Sequence, residues 1–264
     1  MKVNIKRIEP KAKITVQESA GLAIVTLFRP HLKNALSSKM WQELTEIGEH
    51  ICDNPKNKVL VLRGSGNQFT AGSDIKEFHQ MTVEEAEQAF VYMEKAISTF
   101  EKLPIPTVGV INGPAMGAGL ELALSCDIRI GSEQAKMGIP VGRLGIKLNN
   151  KFVKRLVDLI GPSRTKDLVY TGRIFDAKEA YQLGMLNYLV EEKQLDRFAI
   201  EKARTIAEQS PASLLAVKQS VANCINSIEE LWKTDTNFVD LRDFPEGIAA
   251  FVEKRKPDFK RRTN

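Results

Sequence analysis

Short apolar runs separated by helical patterns constrain this chain more than any other feature. Val59-Leu60-Val61-Leu62 and Thr107-Val108-Gly109-Val110-Ile111 are too short for buried helices and have the unbroken apolar character of strands covered on both faces. Asp127-Ile128-Arg129-Ile130 reads as another strand. Before the first run, Trp41, Leu44, Ile47 and Ile51 recur at helical spacing over residues 38–51. Between the first and second, Thr82 with Glu85 three residues on signals a capping box. The helix it opens has a buried face of Val83, Ala86, Phe90, Met93, Ile97 and Phe100, and Pro104 and Pro106 stop it. Between the second and third, Asn112-Gly113-Pro114 turns the chain into a helix through Leu122 and Leu124 to Cys126. Upstream, Ile14, Val16, Leu22, Ile24 and Leu27 alternate around Ser19-Ala20-Gly21, the pattern of a hairpin.

Strands alternating with helices make an α/β core. The tail differs in kind. Asp176 with Glu179 opens a helix that Gly184 ends, Ser210-Pro211 reads as an N-cap and first-turn proline, and Ser227 with Glu230 repeats the capping-box spacing. From Lys193 onward only helices are expected. The expected division is therefore an α/β core over residues 1–192 and a helical region over residues 193–264.

Composition narrows the class. With 264 residues, 43% of them hydrophobic, the chain buries a core without disulfide or metal support, and a disordered chain is excluded. The net charge of +5 sits largely in Lys254-Arg255-Lys256 and Lys260-Arg261-Arg262. Such a tail suits a solvated surface or a phosphorylated small molecule; nucleic-acid binding calls for a basic stripe with interleaved aromatics. Cys52, Cys126 and Cys224 are odd in number and far apart, which points to a reducing compartment, and no secretory signal is read at the N-terminus. The apolar stretch at residues 105–124 contains Pro106, Asn112, Pro114, Glu121 and four glycines, so no spanning helix is expected. A cytoplasmic protein without membrane contact is the expectation.

Several chemistries lack their residues. His31, His50 and His79 are scattered without ligand spacing, so no metal is expected. No serine sits in a nucleophile elbow, and no Gly-Lys pair supports a phosphate loop. Gly117-Ala118-Gly119 starts a dinucleotide fingerprint, but Leu122 stands where its third glycine belongs. Two glycine-flanked turns remain: Phe69-Thr70-Ala71-Gly72-Ser73-Asp74-Ile75-Lys76 and Asn112-Gly113-Pro114-Ala115-Met116-Gly117-Ala118-Gly119-Leu120-Glu121. Each follows a buried-type strand and enters a helix, where the first N–H groups have no internal partner. Side by side, two such turns converge donors on one oxygen and stabilise negative charge as it develops. Glu121, one turn past Ala118, then faces the carbon next to a bound carbonyl. The same spacing also suits two ordinary tight turns with Glu121 on a helix surface.

These segments resemble the crotonase superfamily, the enoyl-CoA hydratase/isomerase family. The resemblance rests on Arg29-Pro30 with Asn34-Ala35-Leu36, on Ala71-Gly72-Ser73-Asp74-Ile75-Lys76, and on Asn112-Gly113-Pro114 with Gly117-Ala118-Gly119-Leu120-Glu121-Leu122-Ala123 and Cys126-Asp127. Thr171-Gly172-Arg173, Ala177 with Glu179-Ala180 and Gly184, and Glu246-Gly247 with Phe251-Val252-Glu253-Lys254-Arg255 extend it over nearly the whole chain. It implies a spiral of ββα units, a helical C-terminal trimerisation region, and assembly into homotrimers or dimers of trimers. It implies an acyl-CoA thioester substrate, with coenzyme A as part of that substrate and no permanently bound cofactor.

By motif, the oxyanion donors are the amides of Ser73 and Ala118, and Glu121 is the family's first catalytic glutamate. Ala71, Gly72, Ser73, Asp74, Ile75, Lys76 and Gly117 are the expected thioester-binding residues, those from Gly72 to Lys76 running along the pantetheine and acyl chain. His31, Leu32 and Lys33 fall beside the CoA nucleotide, and Lys254 falls where a tail lysine meets its phosphates. One position departs: hydratases of the family carry a second glutamate where Met137-Gly138-Ile139-Pro140-Val141 ends in Val141, and Ile146-Lys147-Leu148-Asn149-Asn150 replaces the glycine-rich stretch that follows. The implied activity is enoyl-CoA hydratase-like. One-carboxylate chemistries (isomerisation or decarboxylation) and non-catalytic acyl-CoA binding stand as alternatives.

Overall fold

The computed structural model describes residues 13–225, 241, 243–255 and 257. Residues 13–28 form the hairpin of β1 (Lys13–Ser19) and β2 (Leu22–Phe28), joined by Ala20 and Gly21 at positive φ. Then come a 3-10 turn at Pro30–Leu32, α1 (Ser38–Asp53) and β3 (Val59–Gly64). The short α2 (Ile75–Phe78) precedes α3 (Val83–Glu101), whose Thr82–Glu85 capping box is present, and β4 (Thr107–Ile111) follows. The turn after β4 holds a short strand, β5 (Pro114–Met116), ahead of α4 (Ala118–Leu124) and β6 (Ile128–Ser132).

The second half runs through β7 (Lys136–Gly138), a 3-10 turn at Val141–Leu144 and α5 (Asn150–Thr171), which is interrupted at Gly161 ahead of Pro162. β8 (Ile174–Asp176), α6 (Ala177–Gln182) and β9 (Tyr188–Val190) follow, then α7 (Glu192–Ala207), α8 (Pro211–Ile225) and α9 (Asp243–Glu253). The expected Ser227–Glu230 cap and the basic residues 256 and 260–262 lie outside the described residues.

The main sheet has the order β1-β2-β3-β4-β6-β9, parallel from β2 onward, and β5-β7-β8 form a second, three-stranded sheet. Alternation along the strands sorts the core. Leu60 and Leu62 face Trp41 and Leu44 of α1 and Ile97 and Phe100 of α3, whereas Val59 and Val61, with Val108, Val110 and Ile130, pack on Leu195, Ala199 and Ala203 of α7. Both faces are covered, which is why the strands read as unbroken apolar runs. The helical character expected after residue 192 is present among the described residues, and α7, its first helix, covers the rear of the sheet. At the front, α9 folds back over the 3-10 turn at Val141–Leu144 and over α2, with the Phe244 ring edge-on to Phe78 and Phe90 at 6.0 and 6.3 Å.

Candidate active site

The two glycine-flanked turns lie against each other. Thr70 and Ala115 form a parallel bridge: the Thr70 amide donates to the Pro114 carbonyl and the Met116 amide to the Thr70 carbonyl, both at 3.1 Å. Only glycine allows this approach. A Cβ on Gly72 would sit 2.5 Å from the Met116 carbonyl oxygen and 3.1 Å from the Ala118 nitrogen, and one on Gly119 would sit 2.6 Å from the Thr70 carbonyl oxygen. Ser73 is paired only on its far side. The Leu36 amide donates to the Gly72 carbonyl and the Asp74 amide to the Leu36 carbonyl, so parallel-strand geometry turns the Ser73 N–H away from Leu36. Ala118 is the first residue of α4, whose ladder begins with the Leu120 and Glu121 amides donating to the Gly117 carbonyl, so its own N–H lies ahead of the helix's bonds.

Asn34 holds the first turn in place. Its buried side chain donates to the carbonyls of Ser65 (3.0 Å) and Gln68 (2.9 Å) and accepts from the Arg29 amide (2.9 Å), while its own carbonyl accepts from the Thr70 hydroxyl (2.7 Å). Arg29 pairs with Asp74 at 2.8 Å, and Asp74 also caps α2. The Trp41 indole N–H donates to the Ser73 hydroxyl at 3.1 Å. On the second turn, the Gly117 amide donates to the Gly138 carbonyl at 2.9 Å, which ties it to the segment leading to Val141.

The turns open onto a cavity of about 210 Å³. Ala71, Ser73, Gly117, Ala118 and Glu121 line one end. Val141, Leu144, Ile146, Leu148 and Phe152 form a largely apolar wall, closed by Phe78, Phe90, Met93 and Phe251. Asn149 and Lys147 also reach it. Of the other residues singled out from the sequence, Ile75 lines the cavity, whereas Gly72, Asp74 and Lys76 support the turn from outside the lining. His31 and Lys33 are exposed and Leu32 half-buried on the 3-10 turn; the Lys33 carbonyl accepts from the Ala71 amide at 3.0 Å, so this turn borders the mouth. Lys254 is exposed at the end of α9, a turn of helix beyond Phe251.

Glu121 is not on a helix surface: it is 1% exposed. Its carboxylate accepts from Arg155 of α5 at 2.6 Å, and the same guanidinium holds Glu94 (3.0 Å) and Glu101 (2.8 Å) of α3. Burial pushes the Glu121 carboxyl well above its ordinary range; Arg155 opposes this, but its charge is shared, and the charge and hydrogen bond of Glu94, with the charge of Glu101, push further up. Glu94 goes the other way. Burial raises it, but the charge and hydrogen bonds of Arg155 more than offset that and bring it down to about 2. Glu94, Arg155 and Asn149 were not singled out from the sequence. The legible signal was Glu94 itself, four residues past Phe90 and three before Ile97, a carboxylate inside a buried stripe.

The family model for enoyl-CoA hydratase/isomerase matches residues 17–262. The chain belongs to the enoyl-CoA hydratase/isomerase family. It is 33% identical over 256 residues to an enoyl-CoA isomerase/hydratase of Mycosarcoma maydis, covering 92% of this chain and 93% of the relative. It is 35% identical over 244 residues to a probable mitochondrial enoyl-CoA hydratase of Arabidopsis thaliana, covering 90% and 81%. The crystal structure of an enoyl-CoA hydratase from Bacillus anthracis superposes with a TM-score of 0.79 at 33% identity, covering 94% of this chain and 98% of the other. The fold is thus that of the crotonase superfamily, whose members are enzymes acting on CoA thioesters. Among the described residues, no group of His, Cys, Asp and Glu side chains is arranged to hold a metal, and no helix is long and apolar enough to cross a membrane.

Proposed function

We propose that this family member catalyses one-carboxylate enolate chemistry on an acyl-CoA thioester, and specifically the shift of an enoyl-CoA double bond. The Ser73 and Ala118 amides grip the thioester oxygen. Glu121 takes a proton from the carbon next to the thioester, and the C–H electron pair delocalises to that oxygen as an enolate. Glu121 then returns the proton farther along the chain, so no water is consumed. The observation that carries this reading is Val141, an apolar side chain at the family's second-glutamate position, within a wall of Leu144, Ile146, Leu148 and Phe152. Such a wall neither holds nor activates a water. His31, Leu32 and Lys33 at the mouth, with Lys254 beyond Phe251, are our candidates for the CoA nucleotide.

Hydration is the second reading, and one observation favours it: Asn149 reaches the cavity and donates to Glu94 at 3.2 Å, a polar spot able to hold water. Assay separates the two. With 3-enoyl-CoA, conjugated-thioester absorbance should rise; with crotonyl-CoA it should stay flat, and a fall assigns hydration instead. Loss of one acid–base group costs about 10²–10⁴-fold, so Glu121→Gln should nearly abolish solvent-deuterium exchange at the α-carbon. Unchanged exchange in that variant removes Glu121 as the base, and no exchange in the wild-type protein makes the chain a binding protein.

The resemblance also supports a homotrimer or a dimer of trimers, consistent with Val217 and Val221 of α8 lying one turn apart and 62% and 51% exposed. The free thiols of Cys52 and Cys126 support a reducing, cytoplasm-like compartment.

A further inference from the structure

Next to Glu121 on the shared Arg155 lies a second buried carboxylate with no part in the scheme above. Glu94, 8% exposed on α3, is outside the cavity lining, yet it shares with Glu121 the guanidinium of Arg155. Arg155 Nη1 lies 2.6 Å from Glu121 Oε1 and 3.3 Å from Glu94 Oε2, so one edge of the guanidinium sets the spacing of the two acids. Glu94 is fixed from its remaining sides: the Ser98 hydroxyl donates to Oε1 at 2.7 Å and Asn149 Nδ2 to Oε2 at 3.2 Å. A carboxylate accepting this many bonds stays ionised, and a second anion on the same guanidinium favours the protonated form of Glu121.

We propose that Glu94 is a positioning residue that poises Glu121 to both take and return a proton, by favouring its protonated form across the shared Arg155. A shuttling group works best when its two protonation states are close in energy at the operating pH. A lone glutamate paired with an arginine is held ionised and is a poor base; a second anion against the first restores the balance. Charged groups reach Glu121 and its partner Glu94 from two helices and from the segment before α5. From α3 come Glu94 and Glu101, and from α5 comes Arg155. Lys151 of α5 lies 3.8 Å from Glu94, and Lys147 lines the same cavity from the segment before α5.

This inference rests on the proton-transfer role of Glu121 above, and its test has a readout independent of turnover. Infrared titration of the full chain should show a buried carboxyl that ionises above the ordinary carboxylate range and disappears in Glu121→Gln. In Glu94→Gln that carboxyl should ionise about one pH unit or more lower, and the ascending limb of α-proton exchange against pH should move down with it. Glu94→Asp, which keeps the charge, should restore much of the shift. A midpoint unmoved in Glu94→Gln overturns the proposal, as does wild-type protein in which no Glu121 carboxyl ionises above the ordinary range, a result that needs no Glu94 variant to fold. If wild-type protein exchanges no α-proton while the infrared shift is seen, the reaction assigned above fails and the coupling stands.

Discussion

Arg155 serves three carboxylates at once, and the residue-scale consequences follow from that imbalance. Arg155 is 7% exposed, and although burial disfavours its charge, Glu101, Glu121 and Glu94 keep it charged. Replacing it with Met leaves buried like charges facing one another, a class of change that costs about 3–5 kcal/mol. Denaturant melts should show this loss growing as pH rises and the carboxylates ionise. Wild-type stability has its own acid limb. Glu94 is brought from 4.5 down to about 2, so the stability it contributes is full above the ordinary carboxylate value and declines as pH falls towards 2. Glu121 has the opposite sign. Its raised value means the native state holds a proton that the unfolded chain releases, so wild-type protein should lose stability relative to Glu121→Gln as pH rises above the carboxylate range. Thermal melts across pH check both signs. Val141 offers a test of gain: Val141→Glu puts a carboxylate opposite Glu121, and crotonyl-CoA hydration should rise by at least tenfold over wild type. No rise removes Val141 as the reason for one-carboxylate chemistry.

Among the elements, the start of α4 carries the most weight in the function proposed above. Ala118 is its first helical residue, with Gly117 as the cap, and that position tolerates proline because its N–H bonds nothing within the helix. Ala118→Pro should therefore leave a folded protein by circular dichroism while removing one donor to the thioester oxygen. The expected loss is about 2.7–4 kcal/mol of transition-state stabilisation, about 10²–10³-fold in kcat. Turnover near wild type with the fold intact places the oxygen elsewhere. The long α5, interrupted at Gly161, and the three-residue β9 were not read from the sequence. By contrast, β1 to β4, β6, α1, α3 and α4 were legible because their signals are local: the Thr82–Glu85 box, the Trp41–Ile51 spacing and the two-sided burial of Val59–Leu62 all sit within a few residues of sequence. β5 was not, because Pro114-Ala115-Met116 has no strand character of its own and exists through its pairing with β7. The site divides in the same way. Ser73, Ala118 and Glu121 carry local glycine signals, whereas Arg155 joins Glu121 across 34 residues and Glu94 across 61, distances at which spacing says nothing.

For the whole molecule, α8 bears on assembly: its Lys218 pairs with Asp127 at 2.9 Å, yet little else of it is covered. None of the residues 211–223 is buried, and Val217 and Val221 present an apolar stripe. In the trimer inferred above, a closed ring of copies covers such surfaces. Light scattering should give three or six times the chain mass, and Val217→Lys with Val221→Lys should lower it. A wild-type mass of one chain overturns the assembly.

The two turns meet through bare main chain, Gly72 and Gly119 leaving no side chain between Thr70 and Ala118. Their separation is therefore set chiefly by peptide groups hydrogen-bonded through Thr70, and little by the side chains of the opposite wall. Under the function proposed above, grip and selectivity are then carried by separate parts of the protein. On that reading the wall can be recut for a longer, branched or more polar acyl group, by design or by drift, with the grip on the thioester retained.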